Sequence, residues 1–549
     1  MDKYICILVR EDSREKDLAF LIENLAQNRD NKHVENCEET DATEMLRQIV
    51  EVQTFPRNFT VYIETGYVDR VYRDIYYHHY ASRHFSQPRN CLRLFFFEGV
   101  SENPEVIPND AGFIGVSVIQ PNGIIGRSYW NPRYFLEKGY YVRTADFSFT
   151  LLDKKLHLKA FPYMMQDREA TTCAEVTVLN LVDYYSQSYR EYNATLLSDI
   201  ESVEAQHSAE RIFPSQGMNY ADVARSLAQV GLSPRIYASR ASCMAKDTMQ
   251  RYLYYYIESG IPFGIAVESR EREILHSMVC VGHGPRDRDW PKGWAVNYLA
   301  KELNDDGKVD FRTCWIANSA DAYQTFVVMD DSERPYRTVR LKTASENWTF
   351  PREQEGFPTR YAVDQLCVPL YKRVFLEVDG ATEVFATLLT SRMGFRTVME
   401  RIGATDWLKV GGQEDNPLIV RIFLASSRTF LYERIRMLGQ MDQNIMDERY
   451  TEVYQNLYCP RFVWVCELYT KDTFQEYEPR AIGEIVVDAT ARRTGSMGGL
   501  DSVVLIHYPN YITYRDPDSN WTMLEDNKQQ FPIWSPFAQF RGNLRDFNT

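Results

Sequence analysis

Apolar and polar residues along this chain alternate with two periods, and the two periods mark its elements. Runs of period two or unbroken apolar character predict strands at YICILV (4–9), CLRLFFFEG (91–99), FIGVSVIQP (113–121) and IIGRSYW (124–130). Similar runs recur at PRIYAS (234–239), PFGIAVES (262–269), HSMVCVGHG (276–284), QTFVVMD (324–330) and VFLEV (374–378). Four more follow: LIVRIFLAS (418–426), FVWVCELYT (462–470), AIGEIVVDAT (481–490) and SVVLIHYP (502–509). Helical spacing predicts helices over Glu15–Ala26, Cys173–Ser186, Tyr220–Val230, Ala245–Ser259, Ala381–Ser391 and Arg434–Tyr454. In the first of these, Leu18, Leu21, Ile22 and Leu25 fall on one face.

The order of elements divides the chain into three. Residues 1–156 and 342–549 mix strands and helices and read as α/β regions. Residues 157–341 begin with helices and end with strands, the order expected of an α+β fold with segregated layers. A length of 549 residues fits about three domains. No internal repeat is visible, so a solenoid is not expected.

Composition narrows the function classes. The chain is 44% hydrophobic and 25% charged, the balance of a folded globular protein. The formal net charge of -14 argues against a nucleic-acid or anionic-membrane binder, because phosphate backbones call for an excess of Lys and Arg. The apolar run at the N-terminus is too short for a signal peptide, and no stretch has the apolar length that spans a bilayer. These features point to a cytoplasmic protein. Ten cysteines are scattered at positions 6, 37, 91, 173, 243, 280, 314, 367, 459 and 466, with no CxxC pair. Cys6, Cys280 and Cys466 sit in apolar strands and read as buried thiols.

Cys173 has a different setting. Thr171 and Thr172 precede it as capping residues, and Ala174, Val178, Leu181 and Tyr185 form an apolar face behind it. Cys173 is therefore expected in the first turn of a packed helix, where free amide N–H groups and the helix dipole favour a thiolate, the nucleophilic form of sulfur. Gln166, on the loop entering that helix, carries an amide able to stabilise an oxyanion. His276 opens a strand and is the candidate base. An orienting group for the imidazole is expected at the end of the strand QTFVVMD: Asp330 first, with Asn318 and then Asp331 as alternatives.

The set Gln166, Cys173, FPSQGMNYADVARSLAQVGLSP, the Gly-x-Pro and strand of YYYIESGIPFGIAVE, HSMVCVGHG and FVVMDD resembles the papain-like superfamily, in the branch of the bacteriocin-processing C39 peptidases. The resemblance covers about a third of the chain, from Phe161 to Tyr336. The flanks are similar to a larger group of bacterial proteins carrying this core. The resemblance implies a papain-like (C39-like) α+β core and a cysteine peptidase. Its nucleophile would be Cys173, its base His276, its orienter Asp330 and its oxyanion donor Gln166. It implies a protein or peptide substrate, with no metal and no organic cofactor. The flanks would then bind substrate or a protein partner. Two features depart from the pattern: Ala174 stands where the branch often has Gly, and the segment between His276 and Asp330 is long.

Other residues read as structural. His78, His79 and His84 lie on an aromatic-rich tract whose spacing fits core packing better than a metal site. His283 is expected to be structural or solvent-facing. GQEDNP and DDG lack the ligand alternation of a calcium loop.

Overall fold

The computed structural model describes the chain except residues 1–3, 29–39, 85–86, 102, 104–105, 206–216, 240–247, 270–273, 288–294, 304–308, 345–346, 352–359, 412–413, 441–447, 492–499, 517–519, 526–536 and 545–549. Cys37, Cys243, residues 213–216 of the FPSQ motif, the start of the Ala245–Ser259 helix, the middle of the Arg434–Tyr454 helix and much of the segment after His283 lie outside the described residues. Among the described residues, no helix is long and apolar enough to cross a membrane.

Three large sheets carry the fold, of seven, nine and eight strands, with a two-stranded ribbon beside them. The first runs in the order Tyr4–Val9, Phe59–Tyr67, Cys91–Glu98, Phe113–Ile119, Ser128–Trp130, Lys154–Tyr163, Ala145–Leu151. All of its pairings are antiparallel. The second centres on Ile274–His283, flanked by Thr325–Met329 on one side and Phe263–Ser269 on the other, with Arg360–Leu370 next to the latter. The third runs from Ala295–Leu303 to Trp521–Glu525, and its one parallel pairing among the described residues joins Val309–Asn318 to Leu418–Ser426.

This architecture overturns the expected fold class. The chain is a multi-sheet, largely antiparallel protein. Neither the α/β flanks nor the papain-like α+β core over residues 157–341 is what it forms. The reason lies in pairing, which hydrophobic periodicity does not report. An α/β region needs helical crossovers between parallel neighbours, and the strands of the first and third sheets are neighbours mostly through antiparallel ladders. Nor do the strands of 157–341 form a layer of their own. Ala295–Leu303 and Val309–Asn318 leave for the third sheet, while Tyr141–Val142 and Arg360–Leu370 enter the second from outside that span.

The second sheet is packed on both faces. Met278 and Cys280 of its central strand belong to one apolar core, shared with the third sheet. Val279 and Val281 belong to the other, shared with the first sheet and the helix Cys173–Ser188. The period-two alternation of HSMVCVGHG thus serves two cores at once. Gly282 is required where this strand meets Tyr141–Val142, since a Cβ there would run into the Tyr141 carbonyl oxygen.

Candidate active site

The helix Cys173–Ser188 begins at the cysteine, with Thr172 as N-cap in a capping box with Glu175. The Thr172 N–H donates to the Glu175 carboxylate at 3.0 Å. This reciprocal cap fixes the first turn and leaves the Cys173 side chain half-buried at the helix start. Behind it, Ala174, Val176, Val178, Leu181 and Tyr185 are buried in the core. The helix is held against the histidine strand by a bond between Thr177 Oγ1 and Ser277 Oγ at 2.8 Å. Tyr220 OH meets the same serine at 3.0 Å.

The loop before the helix is built around Asp167. Its Oδ1 accepts the N–H groups of Glu169 (2.9 Å), Ala170 (2.8 Å) and Thr171 (2.7 Å). Its Oδ2 accepts from Tyr80 OH at 3.0 Å. Arg168, in the middle of this turn, takes a left-handed φ of +59°. Arg83 pairs with Glu169 on the same loop. The aromatic tract of the first region therefore ends as a brace for the loop before Cys173. His79 lies 3.7 Å from Glu169, His78 lies 3.7 Å from Asp74, and His84 is exposed.

His276 and Asp330 come together because their strands pair antiparallel. Val279 faces Met329 in the register, and Asp330 follows directly on the chain. His276 Nε2 is 2.8 Å from Asp330 Oδ1 and 3.7 Å from Asp331 Oδ1. The Cys173 side chain is among the groups that raise the pKa of the ring. With Nε2 given to Asp330, the Nδ1 side is the one left for sulfur. The Asp330 and Asp331 side chains are only 5% and 2% exposed.

Electrostatics in this pocket follow from those contacts. Burial disfavours the charged imidazolium, but the Asp330 carboxylate and its hydrogen bond outweigh that and raise His276 well above its ordinary range. Burial also opposes ionisation of Asp330, yet His276, the Ser332 N–H and Arg337 bring it down to about 2. Asp331 goes the other way: burial raises it to about 7, and His276, Ser332 and Arg168 offset only part of that. Two adjacent carboxyl groups thus differ in charge near neutral pH, one ionised and one only partly so.

Asn318 takes no part. Its side chain caps a 3-10 turn through the Ala320 N–H at 3.0 Å and bonds Tyr255 OH. His283 is fully buried, with Nε2 3.0 Å from Glu258 and Nδ1 2.7 Å from the Gly284 carbonyl. Gln166 is brought to the acidic turn rather than left free on a loop: its Nε2 donates to Ser332 Oγ at 3.3 Å. His276, Asp330 and Asp331 are also a donor set that could hold a metal, with one ligand atom each lying within 4.8 Å of the others. The contacts present use His276 and Asp330 as an ion pair instead.

Asp167 and Glu175 escaped the sequence reading, as did the contact of Ser332 with Gln166. Thr172-x-x-Glu175 is a capping-box signature and could have been read. Asp167 four residues before Thr171 gives only the weak signal of an Asx turn. The bond of Ser332 to Gln166 gives none, because Gln166 lies in a distant part of the chain.

No protein-family model matches this chain, and a search of curated proteins finds no match either.

Proposed function

We propose that this chain is a thiol hydrolase that cleaves a peptide or isopeptide bond through Cys173, His276 and Asp330. One observation carries the reading: a cysteine in the first turn of a capped helix acts on an imidazole whose Nε2 is 2.8 Å from a buried carboxylate. The reading keeps the resemblance to the C39-like peptidases for this catalytic set alone.

The chemistry follows from the charges. Asp330 keeps His276 cationic, and an imidazolium beside a helix N-terminus favours sulfur as the thiolate. The thiolate attacks the carbonyl carbon, and the oxyanion that forms meets the amide of Gln166 and backbone N–H groups of the first turn. The imidazolium gives its proton to the leaving amine and the C–N bond breaks, leaving a thioester. Neutral His276 then takes a proton from water, the hydroxide attacks the thioester, and the acid product leaves with sulfur restored. This sequence calls on no metal and no organic cofactor.

The setting is consistent with a cytoplasmic enzyme acting on protein or peptide. The eight described cysteines are free, as in a reducing compartment. A net charge of -14 disfavours nucleic acid and anionic membrane as partners.

A randomised peptide pool incubated with the protein tests the reading, with termini read by mass spectrometry. New N-termini should accumulate with the wild type and not with Cys173→Ala. Intact peptides carrying only the mass change of amide-to-acid conversion would instead mark a deamidase. No Cys173-dependent change of any kind would defeat the proposal.

A further inference from the structure

The turn that carries Asp330 also carries the hydroxyl that touches Gln166. Ser332 Oγ donates to Asp331 Oδ1 at 3.1 Å. A serine hydroxyl has one proton, so this bond commits it and leaves the oxygen as an acceptor. Gln166 Nε2 donates to that oxygen at 3.3 Å. The direction of the chain settles which end of the Gln166 amide faces the turn, and it leaves the second N–H of the amide for another acceptor. The Ser332 N–H meanwhile donates to Asp330 Oδ1 at 3.0 Å, the oxygen that also binds His276. Asp331 is 4% exposed, and its second oxygen has no hydrogen-bond partner.

The turn is itself fixed to the strand leading into Gln166. Tyr163 OH donates to the Glu333 carbonyl at 2.8 Å. Tyr336 OH donates to the Trp130 carbonyl at 2.8 Å and accepts from the Phe161 N–H at 2.8 Å. Gln166 and Ser332 are thus held in register from both sides.

We propose that Ser332, fixed by Asp331, is a positioning residue for the oxyanion amide of Gln166, so that one three-residue turn aligns both the base and the oxyanion donor. This rests on the thiol-hydrolase reading above. Ser332 acts through Gln166 and touches no substrate.

Two small reagents separate the roles. p-Nitrophenyl acetate acylates the thiolate through a tetrahedral oxyanion, releasing p-nitrophenolate and leaving an acetyl thioester. Iodoacetamide alkylates the same thiolate by displacing iodide, with no oxyanion. Loss of the Gln166 donor in Gln166→Ala should slow acylation about 100-fold. Ser332→Ala should slow acylation about tenfold and leave Cys173 alkylation unchanged. In a Gln166→Ala background, Ser332→Ala should have no further effect on acylation. Ser332→Thr, which keeps the oxygen, should hold the wild-type rate, and Ser332→Val, of the same shape without it, should not. The proposal is overturned if Ser332→Ala acylates at the wild-type rate, if it slows alkylation equally, or if its effect persists without Gln166. A wild type that alkylates at Cys173 but never forms the acetyl thioester would instead bring down the hydrolase reading itself, and this inference with it.

Discussion

At the scale of single residues, the account turns on how one buried turn assigns charge. Asp330 is held down to about 2, so its stabilising contribution is complete above the ordinary carboxylate range and is lost as pH falls through about 2. His276 is raised, so its contribution is complete below the ordinary imidazole range and is lost as pH climbs through its higher folded value. Cleavage of a peptide amide needs the imidazolium as acid, so its rate should persist to a pH well above that of a free histidine. In Asp330→Asn the alkaline limb of kcat against pH should move toward acid by about one unit or more. An unmoved limb would remove Asp330 from its role. Asp331 behaves oppositely. Its raised value, about 7, means that folding costs more as pH rises from the free carboxylate range through 7. Asp331→Asn should therefore raise Tm more at pH 8 than at pH 5, by thermal melts at matched ionic strength. The settings of Cys173 and His276, a capped helix start and the first residues of a strand, were legible because they are written in adjacent residues. Ser332 and the exclusion of Asn318 were not, since both depend on which distant strands meet.

Among the elements, the helix Cys173–Ser188 bears most of the weight, because its start must be rigid to hold sulfur against the ring. Its cap and the Asp167 turn supply that rigidity. Thr172→Ala should cost about 1 kcal/mol of stability. Asp167→Ala, which frees three backbone N–H groups, should cost about 1–3 kcal/mol, measured by urea unfolding. Asp167→Asn keeps an acceptor oxygen and should cost less than Asp167→Ala. The sequence pattern located many elements closely: Tyr220–Gln229, Phe263–Ser269 and Thr325–Met329 lie within the runs that predicted them. It did not give their partners. Period-two alternation states that a strand has two faces and not which neighbour lies beside it, so the α/β and papain-like expectations failed at the level of pairing. The hairpin Ala295–Asn318 illustrates this. It falls in the long segment between His276 and Asp330, and its strands pair into the third sheet.

At the scale of the whole molecule, a fully buried ionic chain ties the third sheet to the helices Thr248–Glu258 and Ser427–Leu438. Arg421 pairs with Glu258 and, at 2.6 Å, with Glu467, while Arg434 pairs with Glu467 at 2.5 Å and Glu484 at 2.9 Å. All five side chains are at most 1% exposed. Removing one partner strands the others without compensation, so Arg421→Met should destabilise the protein by about 3–5 kcal/mol. Alkylation of Cys173 below the lowered Tm should match the wild type. A variant as stable as the wild type would show that these charges do not tie the helices to the third sheet.

The central claim is the proposed one, that Cys173 is the reactive nucleophile beside His276. Burial pushes up the thiols of the seven other described cysteines, Cys6, Cys91, Cys280, Cys314, Cys367, Cys459 and Cys466, and keeps them protonated. Iodoacetamide labelling of the folded protein at about pH 5.5, followed by peptide mapping, reads the difference directly, because only thiolates react. Labelling confined to Cys173 and lost in His276→Ala is the predicted result. Labelling spread over several cysteines, or unchanged in His276→Ala, would contradict it.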